Sequence, residues 1–218
     1  MPQLQREMIE YYARRAAEYE RIYAKPERQG DLRRLEGLVE RSFEGLNVLE
    51  VACGTGYWTR FAARGARSIL ASDCNEEVLE IARQKAYGGC RVEIVQADAY
   101  ALDNVPDGFN AGLAAFWWSH IARADLPRFL RAFHAKLTTG SPVLVLDNRY
   151  VEGSSTSVSR RDDQGNTYQI RRLLDGSEHE VLKNFPDAET FAAALANHGT
   201  DLEFTDLPYY WIARYRVV

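Results

Sequence analysis

The feature that most restricts how this chain can fold is a rhythm. Short apolar runs at 46–52, 68–72, 92–96, 110–116 and 142–147 are separated by stretches of helical period at 57–64, 76–87 and 125–137. A helix that carries the chain from the end of one strand back to the start of the next makes the strands parallel, and right-handed crossovers then cover both sheet faces. Strands buried on both faces read as near-continuous apolar runs, as these do. The rhythm predicts an α/β fold. Ahead of it, residues 4–24 and 31–43 carry apolar side chains at helical spacing, so 1–44 reads as a helical cap. Behind it the pattern changes: "EGSSTS" is a loop by composition, and the next stretch reads as two strands meeting at Asp175-Gly176. A helix holding Phe191 and Leu195 stops near Gly199, and "LEFTDL" and "YYWIARYRVV" read as antiparallel closing strands. No linker-like stretch divides the chain. Residues 1–218 are therefore expected to form one domain, with 151–186 an inserted loop and hairpin over the active site. The hairpin at 166–185 is expected to act as a lid.

The first strand runs into "VLEVACGTGYWT", residues 48–59. A glycine turn at the carboxyl end of a parallel strand lets a ligand approach the backbone. The dinucleotide fingerprint needs a third glycine three residues after the second, but Gly54-Thr55-Gly56 is followed by Tyr57, Trp58 and Thr59. Glu50 also argues against a pyrophosphate, which a carboxylate repels, and for a cationic ligand, which it attracts. Asp73 closes the second strand, where an acid can accept two ribose hydroxyls, and Asp98 closes the third. Each acid alone reads equally as a cap or a turn residue; together they face one edge of the sheet.

Composition narrows the partners. A formal net charge of -4 gives no electrostatic footprint for nucleic acid or anionic membrane. No apolar run is long enough to span a bilayer, and the amino terminus lacks the apolar core of a leader, so a soluble cytoplasmic protein is expected. Three cysteines without Cys-x-x-Cys spacing suggest neither a disulfide framework nor a metal site, and fit a reducing compartment.

Glu50, Gly54 and Gly56 match E/D-x-x-x-G-x-G, and on these residues the chain resembles the class I S-adenosylmethionine-dependent methyltransferases. That resemblance implies a Rossmann-like, mainly parallel seven-stranded sheet with antiparallel C-terminal strands, an N-terminal helical cap, a β-hairpin insertion after strand five, and S-adenosyl-L-methionine as cofactor. It assigns the glycine loop to the methionine part, Asp73 to the ribose and Asp98 to the adenine, with Ala52, Trp58, Thr59, Cys74, Ala99, Phe116 and Trp117 around them. "YYARRAAEY" is similar to the opening helix of small family members, which makes Tyr11, Tyr12 and Arg15 cofactor candidates. "GTGYWT", "FWWSHI" and the arginine-containing hairpin are similar to small O-methyltransferases of the dehydrophos phosphonate type.

A methyl group from a sulfonium moves by in-line displacement, so the protein mainly has to position the nucleophile. His120, just after the fourth strand, is the candidate base or positioner; His134, His179 and His198 read as structural. Trp117 and Trp118 are consecutive, so at most one need face the site. Basic residues collect in the insertion: Arg149, Arg160, Arg161, Arg171, Arg172 and Lys183. Neighbours on a strand alternate, so only one of Arg171 and Arg172 points into a pocket. Trp118, Arg149, Tyr168 and Arg172 are the substrate candidates. The expected reaction is methylation of an oxygen on a small acidic molecule, a carboxylate or phosphonate. The alternatives are a neutral hydroxyl or amine acceptor, or a protein that binds the cofactor without catalysis. A monomer and a homodimer both remain open.

Overall fold

A computed structural model describes residues 3–218, with side chains from residue 6 onward; the first two residues of the expected cap lie outside it. Helices α1 (Gln3–Arg15) and α2 (Gln29–Ser42) precede the sheet. The cap is not the single helix expected over 4–24: after Arg15 it tightens into a 3-10 segment, Ala16–Ala24, followed by a short 3-10 turn at Pro26–Arg28. The tightening turns Tyr19 and Tyr23 inward, and Tyr23 stacks on Tyr57 with ring centroids 3.8 Å apart.

Seven strands follow the predicted rhythm: β1 (Asn47–Val51), β2 (Ser68–Asp73), β3 (Arg91–Gln96), β4 (Ala111–Ala115), β5 (Pro142–Asn148), β9 (Gly199–Asp206) and β10 (Tyr210–Val217). Their spatial order is β3-β2-β1-β4-β5-β10-β9. All pairs up to β5 are parallel, and β10 runs antiparallel to both of its neighbours. The connecting helices α3 (Tyr57–Ala62), α4 (Glu76–Arg83), α5 (Leu126–His134) and α6 (Ala188–Leu195) are each a little shorter than their sequence periods. Their apolar faces make two cores. One, with Leu35, Val39, Phe43 and Trp58, lies beneath α2 and α3; the other holds Phe129, Phe133, Phe191 and Trp211.

The insertion after β5 is a three-stranded antiparallel sheet, β6 (Arg160–Arg161), β7 (Thr167–Arg172) and β8 (Glu178–Leu182). It meets α1 through Met8 against Tyr168 and Leu182, and through Tyr11 against Leu173 and Val181. Strand order reverses at β1, with β2 on one side and β4 on the other, and the crevice outside that switch point is where ligands of open α/β sheets bind. No helix of the described residues is long and apolar enough to cross a membrane.

Candidate active site

The carboxyl ends of β1 and β4 meet the ligand edge under strain. Ala52 and Phe116, the residues just past those strands, both hold left-handed backbone, with φ of 52° and 60°. For residues with a Cβ this conformation is uncommon and costs energy that the surrounding structure must supply. Both line a cavity of about 230 Å³ together with Gly54, Asp73, Cys74, Asp98, Ala99, Trp117, Tyr12 and His120. The sequence brought these ten to one place from four strand ends and the cap.

Asp73 organises the floor of this cavity. Its Oδ2 accepts the Gly54 amide at 3.0 Å and its Oδ1 accepts the Asn75 amide at 3.0 Å. Each oxygen keeps a further lone pair for a hydroxyl. Burial raises the carboxyl's pKa, and the two amides oppose that rise. Asp98 is exposed at the rim, and its Oδ1 accepts the Tyr100 amide at 2.9 Å. A Cβ at Gly54 would meet nothing nearer than the Tyr19 ring at 3.9 Å, so it would project toward the cavity. The indole Nε1 of Trp117 is buried without a partner among the described residues. An acid pair, a bare backbone turn and aromatic walls fit a ligand with a sugar and a flat base.

Several sequence candidates lie elsewhere. Gly56 does not line the cavity: a Cβ there would overlap the Tyr87 hydroxyl and come within 3.2 Å of the Ala82 Cβ, so its bareness serves the packing of α4. Glu50 is not a charge aimed at the ligand. It is 1% exposed in the middle of the sheet, paired in register with Ala71 and Leu113, and burial pushes its pKa up to about 8. Its Oε2 and the hydroxyl of buried Thr59 have no hydrogen-bond partner among the described residues. Trp58 lies behind the cavity wall, stacked on Phe116 and donating to the Tyr23 hydroxyl at 3.0 Å. Tyr11 packs into the insertion against Leu173 and Val181.

The substrate candidates move most. Trp118 stacks on Phe191 at 4.2 Å in the core, leaving Trp117 as the indole that faces the site. Arg149 reaches the other way, donating to the Leu207 carbonyl at 2.8 Å and pairing with Asp206 at 3.2 Å. Tyr168 lies under Arg160, 3.6 Å from its ring centroid, and donates to Asp162 at 2.9 Å. Arg172 is exposed on the outer face with Ile170, while fully buried Gln169 sets the inward parity and carries Arg171 into the pocket.

A second cleft adjoins the first through Tyr12, Tyr19, Phe116 and His120. Its wall holds Arg15, Arg21, Lys25 and Arg28 from the cap, Arg171 and Lys183 from the insertion, and no carboxylate. Arg15, expected beside the cofactor, faces this cleft instead. Arg21, Lys25 and Arg28 carried no sequence signal as site residues: around the 3-10 turn Pro26–Arg28, Arg28 is buried and Lys25 half-buried, while Arg21 stays exposed on the cleft wall.

His120 sits on the shared boundary, buried on a 3-10 turn, Trp118–His120. Its Nδ1 lies 2.8 Å from the Leu182 carbonyl, which only accepts, so Nδ1 carries the proton and Nε2 is the acceptor. Tyr12 donates its hydroxyl to Nε2 at 2.9 Å. The ammonium of Lys183 stands 3.4 Å from the same nitrogen. Lys183 is 3% exposed, with Asp147 at 3.0 Å and the Ser119 hydroxyl at 2.5 Å. Burial first, and then Lys183, holds His120 well below its ordinary value, against the opposing pull of Asp147. The imidazole is neutral, and a proton placed on Nε2 would face the ammonium. Among the described residues no group of three or more His, Cys, Asp or Glu is placed to hold a metal.

Residues 48–140 match the model of a methyltransferase domain. The chain is similar to a demethylmenaquinone methyltransferase of Clavibacter sepedonicus, 34% identical over 89 residues that make 40% of this chain and 36% of that protein. It is also similar to a malonyl-[acyl-carrier protein] O-methyltransferase of Erwinia pyrifoliae, 29% identical over 197 residues covering 88% of this chain and 69% of that one. Across the first relatives of this kind the chain spans about a third to a half of their length. Among solved structures, the DhpI-SAM-HEP complex superposes with a TM-score of 0.78 at 26% identity, covering 99% of both chains. The DhpI-SAH complex gives 0.75 at 26% identity over 98% of this chain and 97% of that one.

Proposed function

We propose, for a chain that belongs by its methyltransferase domain and fold to the class I S-adenosylmethionine-dependent methyltransferases, that it methylates an anionic oxygen of a small acidic molecule held in the basic cleft. S-adenosylmethionine, when bound, supplies an electrophilic methyl group whose bonding pair stays with sulfur. Asp73 would hold its ribose, and Gly54 with Ala52 would pass beneath its backbone-contacting part. Trp117, Phe116 and Tyr100 would wall the cavity against water.

The observation that carries the choice of acceptor is the ammonium of Lys183 beside His120 Nε2. A hydroxyl acceptor has to shed a proton, and His120 is the group at the boundary placed to take it. With the Lys183 ammonium, which its pairing with Asp147 favours against the lowering effect of burial, at 3.4 Å, that imidazole is a poor proton acceptor. A carboxylate or phosphonate oxygen arrives ionised and needs no base. Arg171, Arg15 and Lys183 attract it, and the fork of a guanidinium orients two of its oxygens. His120 and Tyr12 then position rather than deprotonate.

The test is a panel of carboxylates, phosphonates, phenols and amines, read as methylated product by mass spectrometry, with wild type and His120→Gln. Acids preferred, with the substitution costing less than about tenfold, supports the reading; a phenol preferred over every acid, with a loss of about 10²-fold, overturns it.

A further inference from the structure

The basic cleft has two ends. At the inner one, Lys183 and Tyr12 meet His120. At the outer one, Lys25 and Arg28 of the cap meet Ser154 of the insertion. Arg28 is only 6% exposed, yet all its partners are neutral. Its Nε and Nη2 donate to the Ser154 hydroxyl at 3.1 and 3.0 Å, and Nη1 donates to Asn148 Oδ1 at 3.0 Å. The rings of Tyr209 and Tyr210 lie 5.3 and 5.7 Å from its guanidinium carbon. Two acids come near, and neither lines the cleft. Glu27 is exposed and accepts from the far side of the Ser154 hydroxyl at 2.8 Å, while Asp31 accepts the Tyr209 amide at 2.9 Å.

A buried charge without an opposite partner is costly, and proteins seldom keep one that nothing compensates. Arg28 is such a charge, and half-buried cations surround it. Lys183 pairs with Asp147, and Arg21 approaches Glu18 at 4.0 Å, but Arg15, Lys25, Arg28 and Arg171 have no ion pair among the described residues. Burial, then Arg28 and more weakly Arg171, holds the Lys25 ammonium below its ordinary value, with Glu27 opposing. A substrate with one carboxylate would leave most of this charge unmatched, and methylation would remove even that carboxylate's charge.

We infer that the outer end is a second anion subsite, and that the substrate is a small molecule with two separate anionic groups. One is methylated beside His120, and the other is held by Arg28 and Lys25. The inference rests on the reading that the accepting oxygen is anionic. The second group keeps its charge through the reaction, so it anchors substrate and ester alike.

The experiment compares matched pairs, glutarate with pentanoate and 3-phosphonopropionate with propylphosphonate, as kcat/KM and as heats of binding to protein saturated with S-adenosylhomocysteine. The two-anion member of each pair is expected to be favoured by roughly tenfold or more. Arg28→Gln, and separately Lys25→Gln at its half-buried position, should bring that ratio down toward one, whatever either does to both rates together. A ratio near one in the wild type, or a ratio that neither variant changes, overturns the subsite. Monoacids methylated without any diacid advantage would sink the subsite and leave methylation of an anionic oxygen standing. A phenol outpacing every acid would sink both.

Discussion

Replacing Lys183 by Met tests the electrostatics on which the acceptor assignment rests. The ammonium lies 3.4 Å from His120 Nε2. Unit charges at that separation repel by about 5 kcal/mol at an effective dielectric of about 20. In the wild type Asp147, 3.0 Å from the ammonium, cancels part of the effect. In the variant its opposite charge remains alone, so His120 should titrate at clearly higher pH. The orphaned Asp147 would also cost about 3–5 kcal/mol of stability, so the measurement is paired with the double variant Asp147→Asn, Lys183→Met, in which neither charge is left. The assay is an NMR titration of the His120 imidazole. Wild-type His120 should stay neutral well below the ordinary histidine range, and the single variant should titrate at higher pH than wild type. A wild-type His120 that titrates at its ordinary value, or a Lys183→Met protein in which it titrates as in wild type, refutes the reasoning.

Gly54→Val should abolish S-adenosylmethionine binding, with some loss of Tm because a β-branched residue strains its left-handed φ of 54°, whereas Gly56→Ala should lower the Tm through its clash with Tyr87 and Ala82 and weaken binding far less; calorimetry separates the two, and an undiminished isotherm for Gly54→Val would count against its role. Asp73→Ala should weaken cofactor binding by about 1–3 kcal/mol through lost ribose hydrogen bonds, and a wild-type isotherm would count against it. Arg171→Gln should depress turnover of acids far more than Arg172→Gln, since Arg172 is exposed; equal losses would contradict the strand parity. Burial lowers His134, to about 4, as burial and Lys183 lower His120, so the unfolded chain binds protons that the native one refuses once the pH drops below the ordinary histidine value. The histidines' contribution should therefore be full above about pH 6.5 and decline below it by up to about 1.4 kcal/mol per pH unit each, while Glu50, pushed up to about 8 by burial, contributes the opposite slope between its ordinary value and about pH 8; chemical denaturation at stepped pH of wild type and Glu50→Gln separates the two.

The parts of the site that were legible in the sequence are those set by local chemistry. A glycine turn, an acid closing β2 and the residues after β4 are fixed by strand ends, and strand ends follow from apolar periodicity. Glu50 was misread because its position in the motif suggests a charge facing ligand, while its register between β2 and β4 buries it. Alternation says only that one of Arg171 and Arg172 faces inward; β7 roofs a polar cleft, so Gln169 points in with Arg171, and Ile170, 42% exposed, points out with Arg172. The break at Arg15 has no proline or glycine before Pro26 to announce it. It follows from Tyr19 and Tyr23 packing onto Tyr57, Trp58 and Phe116, a tertiary demand that overrides helix period.

The two clefts also differ in where along the chain they are written. The acidic cavity takes most of its wall from the stretch between Ala52 and Asp125, whereas the basic cleft borrows from the cap, at Tyr12 to Arg28, and from the far segment between Asn148 and Phe185. Tyr12, Tyr19, Phe116 and His120 are the seam between them. On the proposed reading, donor and acceptor recognition are thus written on separate pieces of sequence. Exchanging the two peripheral pieces as a pair would redirect the chain to another acceptor and leave the donor half undisturbed, but exchanging either alone would leave half a cleft, because neither piece supplies all of its cations.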